Sequence, residues 1–309
     1  MARFLGKHSK SLFNFGPSFE GDVRRDEPMS RHTTYRIGGP ARYYVTVLSV
    51  SALNMALAEC RDNQLPWTVV GQGSNLLVAD EGYPGAGLTL AGDFKAWKYD
   101  PERMRFTVGA GMSLSRIVQE AFHLGVSGLE FAVGTPGTVG GALRMNAGTK
   151  TEWLSKQVAT VTTFSPEGGL KRYHGSDLAW GYRMSSLPAD EVIVECELNA
   201  QRGADMFIRG KMEGALARRK KSQPLNHPSC GSVFRNPEGD SAGRLIEELG
   251  MKGYTIGGAQ ISEKHANFIV NVNGATAADV ASLIKLAHDR VLEAYGIDLV
   301  PEVRFLGFA

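Results

Sequence analysis

The chain has 309 residues, of which 43% are hydrophobic and 21% charged, and this composition excludes an intrinsically disordered protein. Its 34 Lys and Arg residues nearly balance 32 Asp and Glu residues, so the net charge of +2 gives no electrostatic case for nucleic acid or a membrane surface as the main partner. A chain of this length is sufficient for two or three domains around a large buried core, and we expect small molecules as partners.

Cysteine spacing and apolar runs bear on the compartment. Cys60, Cys196 and Cys230 are far apart and form no CxxC pattern, so neither a disulfide framework nor a zinc site is predicted. The histidines show no metal-ligand spacing, and no metal is expected. The apolar stretch "SLFNFG" is too short for a signal-peptide core, and no later run approaches the length of a membrane span. We predict a cytoplasmic protein with no membrane insertion, no bound nucleic acid and no obligate protein partner.

The first part of the chain predicts a leader followed by strands and helices. Residues 1–19 mix Lys, Ser, Gly and Phe without periodicity and are predicted to be a flexible leader that the function does not need. Strands are expected at "ARYYVTVLS", "WTVVG", "AGLTLA" and "RFTVGAG". Helices are expected at "SVSALNMALAECRDN", after a serine cap, and at "SLSRIVQEAFHLG", between a cap at Ser113 and a stop at Gly125.

The remaining sequence predicts a second lobe and a third, helical unit. "GTPGTVGGALRMNAG" is expected to interrupt regular structure, after which strands resume at "VATVTTF" and "EVIVECEL". Further on, one apolar helical face is formed by Val280, Leu283, Ile284, Ala287, Val291 and Leu292. "PEVRFLG" is predicted to be a strand that closes the third unit. We predict two lobes at residues 20–94 and 95–203, followed by an α/β domain at residues 204–309.

Two glycine-containing segments are candidates for a nucleotide site. "GQGSNLLV" places Gly71, Gly73, Ser74 and Asn75 directly after a strand, where backbone N–H groups can surround a pyrophosphate. Alone the signal is weak, and a tight turn between two strands is the more ordinary explanation. "GTPGTVGGALRMNAG" is the stronger signal, because its glycines indicate a close backbone approach, with a purely structural loop as the alternative. A Rossmann site is disfavoured because no GxGxxG opens a helix, and a P-loop because GxxxxGK[ST] is missing.

Three separate polar residues are candidates for chemistry. Arg183 in "WGYRMSS" can bind a carboxylate through two hydrogen bonds or form a surface salt bridge. Ser232 in "CGSVF" is a turn serine or a reactive group, and its surroundings lack the GxSxG pattern of a nucleophile elbow. Glu302 in "LVPEVRF" interrupts an apolar strand, as either an edge-strand charge or a positioned acid.

Seven segments in order resemble those of the UDP-N-acetylenolpyruvoylglucosamine reductase family. They are "HTTYRIGGPA", "GQGSNLLV", "GTPGTVGGA" with "MNAG", "GYRMSS", "PSCGSVFRNP", "AGRLIEELG" and "LVPEVRF", and the resemblance runs from about Glu27 to Phe305. It implies an α+β fold in which a two-lobed FAD-binding domain of the vanillyl-alcohol-oxidase type precedes an α/β substrate-binding domain. It also implies that NADPH reduces FAD, which then reduces the enolpyruvyl ether of UDP-N-acetylenolpyruvoylglucosamine to UDP-N-acetylmuramate for peptidoglycan.

The resemblance also implies roles for individual residues. Arg183 stabilises the charge that develops beside the substrate carboxylate, Glu302 donates or orients next to it, and Ser232 delivers the proton. The FAD contacts are Tyr35, Arg36, Ile37, Gly38, Gly71, Gly73, Ser74, Asn75, Leu76, Gly134, Pro136, Gly137, Gly140, Gly141, Asn146 and Gly148. The substrate contacts are Tyr182, Asn236 and Lys220, with Lys221 as the alternative to Lys220. FAD is expected to be non-covalent, because "GSN" occupies the loop where related oxidases carry an attaching histidine.

The chain departs from the family pattern at a few positions. "TKTEW" replaces a small, glycine-containing stretch after "MNAG", which alters the edge of the flavin pocket. Arg235 and Cys230 stand where lysine and alanine are common. The short interval between Arg183 and Ser232 resembles the subclass that lacks an extra tyrosine-bearing loop. Two alternatives remain open: another FAD-linked oxidase of the same fold, and a flavin-binding protein without catalysis.

Overall fold

The computed structural model describes residues 12–149 and 151–308, which form eighteen strands and six α-helices. The strands are β1 (Gly21–Pro28), β2 (Pro40–Val47), β3 (Trp67–Val69), β4 (Leu76–Val78), β5 (Tyr83–Leu90), β6 (Trp97–Asp100), β7 (Arg105–Gly109), β8 (Val126–Ser127), β9 (Val158–Ser165), β10 (Gly169–His174), β11 (Trp180–Gly181), β12 (Met184–Ser185), β13 (Val192–Asn199), β14 (Gln201–Arg202), β15 (Thr255–Ile256), β16 (Ala259–Ile261), β17 (Ile269–Asn271) and β18 (Arg304–Leu306). The helices are α1 (Val50–Asp62), α2 (Leu114–His123), α3 (Val139–Arg144), α4 (Asp205–Ser222), α5 (Ala242–Glu248) and α6 (Ala277–Tyr295).

Each of the first two lobes is built on one main sheet. In the first lobe the strand order is β1-β2-β5-β3, with β1 antiparallel to β2 and the other pairs parallel. In the second lobe the order is β10-β9-β13-β7-β6, antiparallel throughout. Helix α1 contacts both β2 and β9, so the two lobes share one apolar core.

Local sequence explains why α1 forms where it was predicted. The Ser49 hydroxyl accepts a hydrogen bond from the Ala52 N–H at 3.3 Å, which confirms the serine cap. Leu53, Ala56 and Leu57 recur at helical spacing and are buried, so one face of α1 packs into the core. Ser113 occupies the same cap position before α2, but its hydroxyl lies 2.9 Å from the Ser115 hydroxyl and satisfies no backbone N–H.

The third domain combines α5 and α6 with the antiparallel sheet β15-β16-β17. Helix α6 begins with a capping box between Thr276 and Asp279 and ends before Gly296, whose φ is +67°. Its predicted apolar face is buried except at Leu292, which is 42% exposed because it lies one residue, or about 100° of helix rotation, beyond Val291. Within residues 12–149 and 151–308, no helix has both the length and the apolar character to cross a bilayer.

The third domain returns to the first lobe at the end of the chain. Strand β18 pairs in parallel with β4, which belongs to the first lobe. The Asp80 carboxylate accepts hydrogen bonds from the N–H groups of Ala277 and Ala278, at 2.8 and 2.9 Å, and thereby caps α6 from the other domain. Strand pairing and a helix cap therefore fix the third domain against the first lobe.

The predicted leader differs from the structure where the structure describes it. Residues 1–11 lie outside the described residues. Within residues 12–19, Phe13 is 5% exposed and its ring centroid lies 4.8 Å from that of Tyr43, so this part is attached to the lobe. Aromatic side chains bury enough apolar surface to attach a segment that has no regular periodicity.

Two helices also differ from expectation. The glycine segment after Gly134 contains α3, which the Thr138 hydroxyl caps by accepting the Gly141 N–H at 3.3 Å. Glycine lowers helix propensity, so the sequence pattern concealed this short helix. Helix α4 was assigned to the third unit, but it packs against α2 and the 3-10 helix Glu130–Ala132 of the second lobe.

Candidate active site

A cavity of about 1240 Å³ is lined by residues of both lobes and the third domain. Arg183, Ser232 and Glu302 all line it, although they are distant in sequence. Eleven of the residues predicted to contact FAD line it as well, namely Gly71, Gly73, Ser74, Asn75, Leu76, Gly134, Pro136, Gly137, Gly140, Gly141 and Gly148. The structure therefore brings the predicted flavin loops and the three candidate reactive residues to one cavity.

The two glycine loops contact each other along one side of this cavity. The Gln72 side-chain oxygen accepts a hydrogen bond from the Gly137 N–H at 2.9 Å. A β-carbon on Gly71 would lie 2.7 Å from the Thr138 hydroxyl oxygen. Side chains at these glycines would separate the loops, so part of the close approach that the sequence indicated is an approach of one loop to the other.

The first glycine loop presents unpaired backbone donors. Within the described part of the chain, the N–H groups of residues 71–75 have no hydrogen-bond acceptor, and all five residues line the cavity. Gly71 and Gln72 are exposed, whereas Gly73, Ser74 and Asn75 are buried or half-buried, and N–H groups in such positions are normally paired. A run of free backbone N–H groups makes an anion-binding concavity. The loop and the size of the cavity fit the pyrophosphate of a dinucleotide such as FAD.

Gly73→Ala should destabilise this loop more than a comparable glycine substitution elsewhere. Gly73 has φ of +62°, and a β-carbon there would lie 2.0 Å from the His32 carbonyl oxygen. Gly239 has φ of +74° but nothing within 4 Å of a β-carbon, so Gly239→Ala is the matched control. We expect the control to lose only the roughly 1 to 2 kcal/mol of a left-handed non-glycine residue. Thermal unfolding and the flavin content of both variants test this, and equal losses would contradict the steric role of Gly73.

Positive charge dominates the cavity wall. Among the described residues, its charged lining groups are Lys95, Arg116, Arg144, Arg183, Arg218, Arg219, Arg304, Glu191 and Glu302. The Arg219 guanidinium donates to the Thr135 hydroxyl at 3.2 Å, and burial lowers the pKa of this arginine. A wall of this sign suits ligands that carry phosphate groups.

Arg183 and Glu302 form an ion pair on the cavity wall. Arg183 Nε donates to Glu302 Oε1 at 2.6 Å, and Arg183 Nη1 donates to the Gly148 carbonyl at 3.4 Å. The side chains are 22% and 12% exposed, so the pair is largely withdrawn from water. Burial raises the pKa of Glu302, while Arg183 and Arg235 oppose that rise. Glu302 Oε2 is buried and has no hydrogen-bond partner among the described residues.

Arg183 occupies an unusual backbone conformation. It lies in the two-residue turn between β11 and β12 and has φ of +55°, a region that non-glycine residues rarely adopt. Asn146 supports this hairpin, because its side-chain amide donates to the Gly181 carbonyl at 3.0 Å and accepts the Ser155 N–H at 3.0 Å. Asn146 was predicted to contact FAD, but it is 5% exposed, does not line the cavity, and its amide is engaged by protein groups.

Backbone pairing places Ser232 beside Glu302. The Glu302 N–H donates to the Val233 carbonyl at 2.7 Å, and an isolated antiparallel bridge joins Phe234 to Pro301. The Asn75 side chain donates to the Glu302 carbonyl at 3.0 Å. The first glycine loop, the serine segment and the terminal strand therefore meet at one point of the cavity.

Four other residues predicted to contact FAD do not line the cavity, namely Tyr35, Arg36, Ile37 and Gly38. Tyr35 and Ile37 are 0% and 4% exposed, within the apolar core of the third domain. The pairing of β18 with β4 brings that domain against this segment and covers its apolar side chains. Side-chain contact with a ligand in the cavity is therefore not available to Tyr35 or Ile37, whereas the neighbouring Thr34 does line the cavity.

The predicted substrate contacts also lie off the cavity wall. Tyr182 is 52% exposed, and its hydroxyl accepts the Asn236 N–H at 3.3 Å. The Asn236 side chain accepts the Ala242 N–H at 3.1 Å at the start of α5. Lys220 is exposed on α4 and does not line the cavity, unlike the preceding Arg219. The two side chains lie one helical position, or about 100°, apart. The run "ARRKK" does not show which of its basic residues faces the cavity.

Comparison with known proteins decides the family. A model of an FAD binding domain matches residues 41–173, and a model of the UDP-N-acetylenolpyruvoylglucosamine reductase C-terminal domain matches residues 223–306. The reductase of Heliobacterium modesticaldum is 46% identical over 94% of this chain and 92% of its own length. Reductase 2 of Symbiobacterium thermophilum is 43% identical over 93% of each chain. The chain belongs to the UDP-N-acetylenolpyruvoylglucosamine reductase family. 

The fold of a family member confirms the predicted architecture. The crystal structure of the Thermus caldophilus reductase matches with a TM-score of 0.81 and 38% identity, covering 93% of this chain and 99% of that one. The predicted α+β fold, with a two-lobed FAD-binding domain of the vanillyl-alcohol-oxidase type, is thus confirmed. The protein is an FAD-dependent oxidoreductase of peptidoglycan precursor synthesis.

The flavin should be released intact by acid precipitation. A covalent link needs a nucleophilic side chain, and the histidine and cysteine on the described cavity wall are His227 and Cys230. Burial raises the pKa of the Cys230 thiol to about 12, which keeps it in its unreactive neutral form. His227 lies in an exposed loop after α4 and not in the first glycine loop, where an attaching histidine is expected. We expect the yellow colour in the supernatant after denaturation, and colour retained in the protein pellet would contradict non-covalent binding.

Proposed function

We propose that this protein reduces the enolpyruvyl ether of UDP-N-acetylenolpyruvoylglucosamine to UDP-N-acetylmuramate in the cytoplasm, with NADPH as the reductant. The observation that carries the proposal is that Arg183, Glu302 and Ser232 line the wall of one cavity together with the first glycine loop. FAD, when bound, supplies the hydride that reaches the substrate methylene carbon and is replenished from NADPH. Negative charge then develops on the adjacent carbon and its carboxylate, and that carbon finally takes a proton.

Arg183 would stabilise this developing charge. The Arg183 Nε is engaged by Glu302, and the contact of Nη1 with the Gly148 carbonyl is long at 3.4 Å. The Nη groups can therefore donate to a substrate carboxylate. The ion pair and the supported hairpin hold the fork before substrate arrives. A donor that is oriented in advance stabilises a transition state without reorganisation at the moment of reaction.

Glu302 would act as a donor or orienter next to Arg183. Burial already raises the pKa of its carboxyl, and a substrate carboxylate bound nearby would raise it further. A protonated Glu302 can donate from the oxygen that has no partner among the described residues. Donation from a neutral carboxylic acid to a developing enolate is a known use of such a shifted group.

Ser232 would deliver the proton to the carbon next to the carboxylate. It is half-buried on the cavity wall, one residue before the carbonyl that accepts the Glu302 N–H. A serine hydroxyl is a weak acid, so the role needs neighbours that stabilise the alkoxide or return a proton to it. The cationic wall around Arg183 supplies such stabilisation.

Arg218 and Arg219, which form no ion pair within the described part of the chain, would hold phosphate groups of the ligands. UDP-sugar, NADPH and FAD each carry a diphosphate, and Arg218 and Arg219 line the cavity at the end of α4. These two arginines, rather than Lys220, are our candidates for a substrate diphosphate. Tyr182 and Asn236 remain candidates for substrate contacts, because they touch each other and Tyr182 directly precedes Arg183 of the cavity wall.

Steady-state oxidation of NADPH by the purified flavoprotein tests the proposal. We expect NADPH to be consumed in proportion to the enolpyruvyl sugar added, with UDP-N-acetylmuramate as the product. Oxygen consumption that depends on another substrate and needs no enolpyruvyl sugar would favour an oxidase of the same fold. A yellow protein that oxidises no NADPH with the sugar present would favour flavin binding without catalysis.

A further inference from the structure

A buried asparagine holds the segment that carries Ser232. Asn267 is 2% exposed, and its side-chain amide makes two hydrogen bonds with one residue: Oδ1 accepts the Phe234 N–H at 2.9 Å, and Nδ2 donates to the Phe234 carbonyl at 2.8 Å. The Asn267 backbone carbonyl accepts the Val233 N–H at 2.9 Å. Asn267 therefore binds backbone groups of both residues that follow Ser232.

The same segment sets the position of Glu302. The Val233 carbonyl accepts the N–H groups of Glu302 and Val303, at 2.7 and 3.3 Å. Asn267 and Glu302 both bind Val233, Asn267 through the Val233 N–H and Glu302 through the Val233 carbonyl, and Asn267 itself does not line the cavity. A displacement of the segment would therefore change the distance between Ser232 and Glu302 without removing either group.

A neutral histidine completes the arrangement. His265 Nδ1 accepts the Asn267 N–H at 3.2 Å, which requires the unprotonated ring nitrogen. Burial and, to a smaller extent, the charge of Lys252 lower the pKa of His265, which favours the neutral ring that this hydrogen bond needs. Backbone and side chain of Asn267 are thus both fixed by partners.

We propose that Asn267 is a positioning residue that fixes Ser232 relative to Glu302 for protonation of the substrate carbon. The proposal rests on the proton-donor role proposed for Ser232. Its physical basis is that a donor and an acceptor on one planar amide bind both peptide groups that flank Phe234 and fix their orientation as well as their distance. A shift of about 1 Å in a reacting group can cost about 10²-fold in rate.

Asn267→Asp provides a switchable test of this role. A protonated carboxylic acid has one donor and one acceptor in a plane and reproduces both hydrogen bonds to Phe234. An ionised carboxylate has acceptors only and would face the Phe234 carbonyl oxygen. Burial favours the neutral acid, so the change occurs at a pH above the ordinary range for aspartate.

The measurement is single-turnover reoxidation of dithionite-reduced flavin by the enolpyruvyl sugar across a range of pH. We expect Asn267→Asp to match the parent at low pH and to fall by about 10²-fold relative to it as the new carboxyl ionises. Asn267→Leu should be slow at every pH. His265 and Glu302 titrate near this residue, and Arg235 carries charge there, in both the parent and the variant. The ratio of the variant's reoxidation rate to the parent's at each pH therefore reports the change at position 267.

Asn271→Asp is the matched control. The Asn271 side chain also makes one donor and one acceptor bond, to the Tyr35 carbonyl and the Ala275 N–H, at 3.1 and 3.0 Å. It binds no residue between Ser232 and Phe234 through its side chain. We expect its reoxidation rate relative to the parent to be independent of pH.

Three outcomes would overturn the positioning role. The first is a flat pH ratio for Asn267→Asp, and the second is equal slowing of flavin reduction and reoxidation in that variant at the pH where its new carboxyl is ionised. The third comes from a double-mutant cycle: Asn267→Leu should slow a Ser232→Ala protein no further, and additive losses would show that Asn267 acts elsewhere. Parent-like reoxidation by Ser232→Ala alone would instead refute the proton-donor role, which separates the two failures.

Discussion

Ser232→Ala should slow the reoxidation of reduced flavin by the enolpyruvyl sugar by at least the roughly 10²- to 10⁴-fold typical of a lost general acid. Reduction of the flavin by NADPH generates no substrate carbanion and should keep nearly the parent rate. Stopped-flow absorbance resolves the two phases. The side chain is half-buried at the cavity wall and makes no hydrogen bond within the described part of the chain, so folding stability should hardly change.

The outcome distinguishes chemistry from folding. Equal slowing of both phases would indicate a defect in folding or flavin binding, and unimpaired reoxidation would make Ser232 a turn residue. Ser232→Cys adds a second comparison, because a thiol is a stronger acid than an alcohol of similar shape and should recover part of the lost rate. If cysteine performs no better than alanine, the proton comes from Glu302 or an ordered water.

Arg183→Lys should reduce kcat/KM by the equivalent of about 2 to 4 kcal/mol, as expected for the loss of one preorganised donor. In the structure one guanidinium contacts both Glu302, at 2.6 Å, and Gly148, at 3.4 Å. The single ammonium of lysine cannot keep these contacts and also present a planar fork to a carboxylate.

A surface arginine provides the control for that substitution. The Arg103 side chain is 73% exposed and pairs only weakly with Asp100, at 3.7 Å, so Arg103→Lys should leave kcat/KM unchanged. Steady-state kinetics with the UDP-sugar measure both variants. An Arg183→Lys protein within twofold of the parent would assign Arg183 a structural role in the hairpin.

The sequence predicted the helices and strands in which buried apolar residues recur at regular spacing. The helices α1 and α6 and the buried strands β2, β9 and β13 were all predicted, because their apolar residues recur at helical or strand spacing. Strands β1 and β10 were not predicted. Both lie at sheet edges and consist largely of polar or exposed residues, so no apolar alternation indicates them.

The sequence predicted which residues form the candidate site, but not their contacts with one another. Arg183 and Glu302 are 119 residues apart, and each had an ordinary explanation as a separate surface charge. The pairing of β18 with β4 brings the terminal strand to the first glycine loop and Glu302 to the cavity. The family resemblance supplied the grouping that spacing alone cannot give.

Positioning residues were beyond prediction for a further reason. Asn267 and Asn146 each bind backbone groups of a distant segment through a side-chain amide. Such contacts have no periodic signature in the sequence, and asparagine is common in ordinary turns. For the same reason Tyr35 and Ile37, which lie in a segment that resembles the family, could not be recognised as core residues of the third domain.

Anaerobic single turnover of the chemically reduced protein with the enolpyruvyl sugar tests the central claim most directly. The account predicts that the oxidised flavin spectrum returns in proportion to the sugar added. It also predicts a product two hydrogens heavier than the substrate, with a solvent-derived hydrogen on the carbon next to the carboxylate. Flavin that stays reduced until oxygen is admitted, with the sugar recovered unchanged, would contradict the claim that Arg183, Glu302 and Ser232 complete the reduction of this ether.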